Sequence, residues 1–104
     1  VPIWIREAAD ALKGAVGGYM MISSLSAYAD NAATGQDEDA PVATFAGDPL
    51  KETMASLRAD MGKYSGLKAA TEAETRQQFG TRAIIVRPGL IVGPGDETDR
   101  FTYW

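Results

Sequence analysis

Apolar side chains fall at Ile5, Ala8, Ala9, Leu12 and Val16 with charged residues between them. This spacing predicts a helix over residues 3–15, brought to an end by the pair Gly17 and Gly18. The period then changes: "YMMI" is an unbroken apolar run bounded by Gly18 and by serines, the pattern of a strand buried on both faces. From Leu25 to about Asp60 no period holds, and Asp, Gly, Pro and Ala cluster. A loop of that length is uncommon unless it is functional, and "PLKETMASLRAD" is expected to supply one or two helical turns inside it. Helical spacing returns over residues 62–79, Ala-rich like a surface helix, with Glu72 four before Arg76 and Gly80 as the stop. "RAIIVRPG" reads as a second buried strand, carrying Ile84, Ile85 and Val86 and halted by Pro88 and Gly89. The remainder is loop that opens another helix, with Asp96 or Thr98 as its cap.

The order helix, strand, long loop, helix, strand, loop predicts an α/β fold. Strands separated by a helix call for a right-handed crossover and a parallel sheet with flanking helices. Two parallel strands with two or three helices cannot cover both faces of such a sheet, so further strands are expected outside this sequence. The termini point the same way. The chain starts at Val1 rather than Met and stops at "RFTYW", where solvated, polar ends are usual. No internal repeat or low-complexity tract interrupts it.

Composition narrows the chemistry. With 104 residues, 45% hydrophobic and 23% charged, the chain has the make-up of one small globular domain. A net charge of -4 offers no basic field for a phosphate backbone, which disfavours nucleic acid as a partner. There is no Cys and no His, which removes disulfides, thiolate chemistry and the commonest proton shuttle and zinc ligand. Any acid or base must therefore come from Asp, Glu, Lys or Tyr. No apolar run approaches the roughly 20 residues of a membrane span, and no charged-then-apolar leader precedes the first helix. A cytoplasmic protein away from membranes is expected.

Ligands of open α/β sheets bind outside the carboxyl ends of the strands, which directs attention to Ser23, Ser24 and Ser26 after the first strand and to Arg87, Pro88 and Gly89 after the second. The helix between them carries Tyr64 and Lys68 one turn apart on one face. A phenol is a poor acid or base at neutral pH until a neighbouring ammonium favours its ionised form. So paired, Tyr64 could exchange a proton with a substrate hydroxyl as hydride moves to or from a nicotinamide ring, with Ser24 holding the same oxygen and Lys68 reaching the cofactor ribose. Each element has a plainer reading: a Tyr and Lys on a solvated face, serines capping a turn, "RPG" ending a strand. "VGPGD" lacks the lysine and third glycine of the phosphate-binding fingerprints. The acidic runs "DEDA" and "DETD" lack an alternating ligand pattern and read as solvated loop charges and helix-start residues, so no metal site is expected. The conjunction, in this order, is what favours catalysis.

In "YMMISSLSAYAD", "YSGLKAATE" and "IIVRPGLIVGPGD" the chain resembles the extended short-chain dehydrogenase/reductase family, also called the NAD-dependent epimerase/dehydratase family. The likeness runs from about Gly18 to Trp104. It implies a partial Rossmann fold, a fragment of a doubly wound sheet. On that view residues 1–104 form the middle to carboxyl-terminal part of one NAD(P)-binding domain, without its first nucleotide-binding half or the substrate domain. It implies Ser24, Tyr64 and Lys68 as the catalytic triad, Ser24 standing four before Tyr28 as the family's catalytic Ser or Thr does. It also implies cofactor contacts from Ser23, Tyr64, Lys68, Pro88 and Gly89, with NAD or NADP as the cofactor. The activity implied is hydride transfer at a hydroxyl or carbonyl carbon of a small metabolite, in an oxidoreductase, epimerase or dehydratase that can pair as a homodimer. The fragment alone is expected to be inactive. Two departures stand out: the family's Gly-x-x-Gly-x-x-Gly turn is absent, and Leu90 stands where sugar-nucleotide members commonly carry Asn. The alternative is a non-catalytic relative of the same fold that binds a nucleotide or RNA.

Overall fold

The computed structural model describes residues 1–98. Helix α1 spans Pro2–Leu12, with proline near its start, where the missing N–H costs nothing. It buries Pro2, Ile5 and Ala9 and packs against a later helix, α3, which spans Tyr64–Phe79. The helix stops three residues short of the expected Ala15. Arg82 Nη1 takes up the carbonyls of Lys13 (2.8 Å) and Val16 (2.7 Å), so the chain leaves the helical path with those acceptors satisfied.

Strands β1, Tyr19–Ile22, and β2, Ala83–Val86, form a parallel two-stranded sheet in which Tyr19 faces Ala83 and Ile22 faces Val86. The Ser23 N–H donates to Val86 O at 2.7 Å and carries the ladder one step further. The two strands fall where the sequence places them, but they are not buried on both faces. Met21 is buried and Tyr19 stacks on Phe79 with ring centroids 4.2 Å apart, whereas Met20 is 60%, Ile22 53%, Ile84 50% and Val86 39% exposed. Alternation and register put these last four side chains on one face. The helices pack on the opposite one.

The segment between β1 and α3 is more ordered than its composition suggests. A 3-10 turn at Leu25–Ala27 follows Ser24, and Tyr28 and Val42 form an isolated antiparallel bridge. The helical turns expected from "PLKETMASLRAD" are present as a 3-10 turn, Pro49–Lys51, and a short helix α2, Met54–Ala59, opened by a Thr53–Ser56 capping box. Asp60 then caps a turn at Met61–Lys63 that leads straight into α3, Tyr64–Phe79.

Helix α3 is not the solvated surface helix its composition suggests. Leu67, Ala69 and Phe79 are buried together with Thr71, Glu72, Glu74 and Thr75. The two buried threonines donate back to carbonyls one turn earlier, Thr71 to Leu67 O (2.6 Å) and Thr75 to Thr71 O (2.8 Å), so neither hydroxyl is left unpaired. Arg6 of α1 forks onto Glu74 at 2.8 and 3.1 Å and fixes the two helices together. Gly66 permits another approach: a Cβ there would lie 2.6 Å from Thr44 O, so only glycine lets the loop cross α3 two residues from Tyr64. The helix ends at Gly80, φ +56, as its spacing predicts. Beyond β2, Asp96 Oδ1 accepts from the Thr98 N–H at 2.9 Å. The helix that Asp96 or Thr98 was expected to cap lies outside the described residues. Among those described, no helix is long and apolar enough to cross a membrane, and no cluster of acidic residues could hold a metal ion.

Candidate active site

Tyr64 and Lys68 meet on one cleft. Tyr64 is the first residue of α3, and the helical repeat places Lys68 one turn on, with its Nζ 5.8 Å from the centre of the Tyr64 ring. Lys68 Nζ donates to the carbonyl of Ile22, the last residue of β1, at 3.1 Å. This bond holds the ammonium at the carboxyl end of the strand, where α/β sheets take ligands. Beside the two side chains opens a cleft of ≈ 420 Å³ whose apolar wall includes Trp4, Ile5, Met21, Met54, Leu57 and Leu67. Its size falls in the range of small-molecule sites, roughly 300–1,000 Å³, and a mostly apolar lining with a few polar groups is their usual make-up.

The other residues implied by the sequence lie off this cleft. Ser24 Oγ accepts from the Ser26 N–H at 3.1 Å and caps the turn at Leu25–Ala27, which is the plainer of the two roles open to it. Accepting one bond leaves the hydroxyl its own proton to donate. Ser23 turns inward and is buried. Its Oγ makes no hydrogen bond of normal geometry, although it sits close enough to the Glu72 carboxylate to favour the charged form. Pro88 O accepts from the Leu25 N–H at 3.1 Å, and Gly89 lies against the Leu25 side chain, so both brace the serine-bearing turn.

A buried ion pair stands behind the cleft. Arg87, the residue after β2, forks onto Glu72 of α3 with Nε–Oε1 at 2.9 Å and Nη2–Oε2 at 2.6 Å, and the Glu72 side chain is only 1% exposed. Arg87 Nη1 also donates to Glu38 O at 3.2 Å, and the guanidinium lies over the Tyr28 ring, 4.6 Å from its centre. Arg76, expected to pair with Glu72 on the surface, stands at 3.6 Å as a third member. Burial pushes the Glu72 carboxyl up, but the hydrogen bonds from Arg87, the nearby Ser23 hydroxyl and the charges of Arg87 and Arg76 outweigh it and hold the group below its ordinary 4.5. Arg87 is correspondingly raised, chiefly by its bond to Glu72. Sequence reasoning missed this pair. The available signal was a carboxylate on the same stripe as Leu67, Thr71, Thr75 and Phe79, a position that requires a buried cation.

The chain matches no family model, no curated protein and no solved structure.

Proposed function

We propose that the chain is part of an NAD(P)-dependent oxidoreductase or epimerase of the extended short-chain dehydrogenase type, acting at a hydroxyl or carbonyl carbon of a small metabolite. The observation that carries this reading is the shared cleft: Tyr64 and Lys68 stand side by side on its wall at the carboxyl end of β1, with Lys68 Nζ held by Ile22 O. In this reading the parallel pair of β1 and β2 with α3 between them in sequence is a portion of a Rossmann sheet. The cleft suits the nicotinamide end of such a cofactor, with an apolar wall for the ring and an ammonium and a phenol for the ribose and the reacting oxygen. The cofactor supplies or takes up the hydride.

The chain's own residues handle the proton and the charge. Tyr64 gives its hydroxyl proton to a carbonyl oxygen as that oxygen becomes an alcohol, or takes the proton in the reverse direction. The Lys68 ammonium, fixed by Ile22 O, offsets the negative charge that develops on the phenol oxygen during the transfer and offers its remaining N–H groups to the ribose. Ser24 caps its turn off the cleft, accepting from the Ser26 N–H, and its hydroxyl keeps a proton to donate at the strand end. The scheme needs no His, Cys or metal, in keeping with the composition.

Lys68→Met tests the cofactor half of this reading. In the product of the complete reading frame, titration with NADH followed by its fluorescence should give an affinity lower by about tenfold, the loss of a charge-assisted contact. Affinity equal to wild type would remove Lys68 from the cofactor site.

A further inference from the structure

The two contacts that α3 makes with the sheet ends are spaced by one helical turn. Lys68 reaches the carbonyl of Ile22, the last residue of β1, and Glu72 reaches the guanidinium of Arg87, the residue after the last of β2. Ile22 and Val86 are partners in the sheet register, so the two tethers land on adjacent strand ends. They differ in strength. The Lys68 bond is single and open to solvent, whereas the Glu72–Arg87 fork is double, buried and braced by Glu38 O and the Tyr28 ring. A helix held by the stronger tether has no freedom to rotate or slide at the weaker one, because residues four apart lie on the same face.

We infer that Glu72, through Arg87, is the positioning residue of the site: it sets the rotation and height of α3 at the strand ends and so places the Lys68 ammonium and the Tyr64 hydroxyl on the cleft. This rests on the dehydrogenase reading above. It adds a residue that touches neither substrate nor cofactor but decides whether the pair that does is in place. A shift of about 1 Å in a reacting group is enough to lower rate or affinity by one to two orders of magnitude.

The experiment compares two carboxylates of the same helix. Glu72 and Glu74 are both buried and both take a forked arginine, but Glu74 faces Arg6 on α1, away from the strand ends. NADH affinity is measured for wild type, Glu72→Gln and Glu74→Gln in the complete reading-frame product, at a temperature where circular dichroism shows all three folded. The expected result is an affinity lower by about tenfold for Glu72→Gln and unchanged for Glu74→Gln. Should Glu72→Gln not fold, Arg87→Lys takes its place, since an ammonium keeps the charge but not the fork. Equal loss in the Glu72 and Glu74 variants would mean general loosening of α3 and would overturn the inference, as would wild-type affinity in Glu72→Gln or Arg87→Lys. A wild type that binds neither NADH nor NADPH overturns the dehydrogenase reading itself, and this inference with it; where only NADPH binds, the comparison is made with NADPH.

Discussion

Tyr64→Phe should lower turnover by about 10²–10⁴-fold, the usual worth of a positioned acid or base. Only the hydroxyl oxygen is removed. The ring that lies 5.8 Å from Lys68 Nζ stays, as does the cleft wall it forms, so NADH affinity should remain within about twofold of wild type. The pairing of a lost rate with a kept affinity is what separates a proton donor from a wall residue. The assay follows reduced nicotinamide absorbance in the complete reading-frame product, with a substrate found by screening small hydroxyl and carbonyl compounds against NAD and NADP. Unchanged turnover would mean that Tyr64 and Lys68 are two side chains that happen to sit one turn apart. Loss of rate and affinity together would make Tyr64 a binding residue only.

Removing one member of the Glu72–Arg87 pair should lower stability by about 3–5 kcal/mol, because the survivor is left charged and buried without its partner. Against a total of about 5–15 kcal/mol for a natural domain this is a large fraction. Arg87→Met alone should therefore shift the denaturant midpoint strongly, and the double variant Glu72→Leu with Arg87→Met should recover most of it, since apolar replacement of both partners leaves no orphan charge. The pair also has a pH signature. The folded-state value of Glu72 lies below its ordinary 4.5, so its contribution is complete at neutral pH and is lost as the pH falls below 4.5 through the folded value. The stability gap between wild type and Glu72→Gln should narrow between neutral pH and about pH 3. A gap that stays constant would show that the carboxylate's charge contributes nothing to holding α3.

Much of the architecture was legible in the order of apolar patterns, because helix and strand periods differ and each change of period is marked by glycine or proline. Gly80 ends α3 as its place after Phe79 implies, and the turns around α2 follow from Asp48, Thr53 and Asp60 as caps. The strands were located but their burial was not. A run such as "YMMI" carries no information on whether a second layer covers it, and here Met20 and Ile22 remain exposed. Met20, Ile22, Ile84 and Val86 make one exposed face, since the helices pack on the other side of the two strands. Of the site, Tyr64 and Lys68 were legible because helical spacing alone brings them to one face. Glu72 and Arg87 were not, because they are 15 residues apart in sequence and meet only through the sheet register. Ser24 illustrates the same limit: its place at the strand end was correct, but whether its hydroxyl serves a turn or a ligand depends on a bond to Ser26 that spacing does not encode.

The central claim is that the cleft beside Tyr64 and Lys68 takes the nicotinamide end of a dinucleotide. The most direct measurement is a residue-by-residue NMR titration of the isotopically labelled, complete reading-frame product with NADH. The account predicts saturable shifts at Tyr64, Lys68, Ile22 and the Trp4 indole, all on the cleft wall, with Glu74 and Arg6 unmoved. Saturable binding that leaves Tyr64 and Lys68 unshifted, or no binding of either NADH or NADPH when each is titrated, would contradict it.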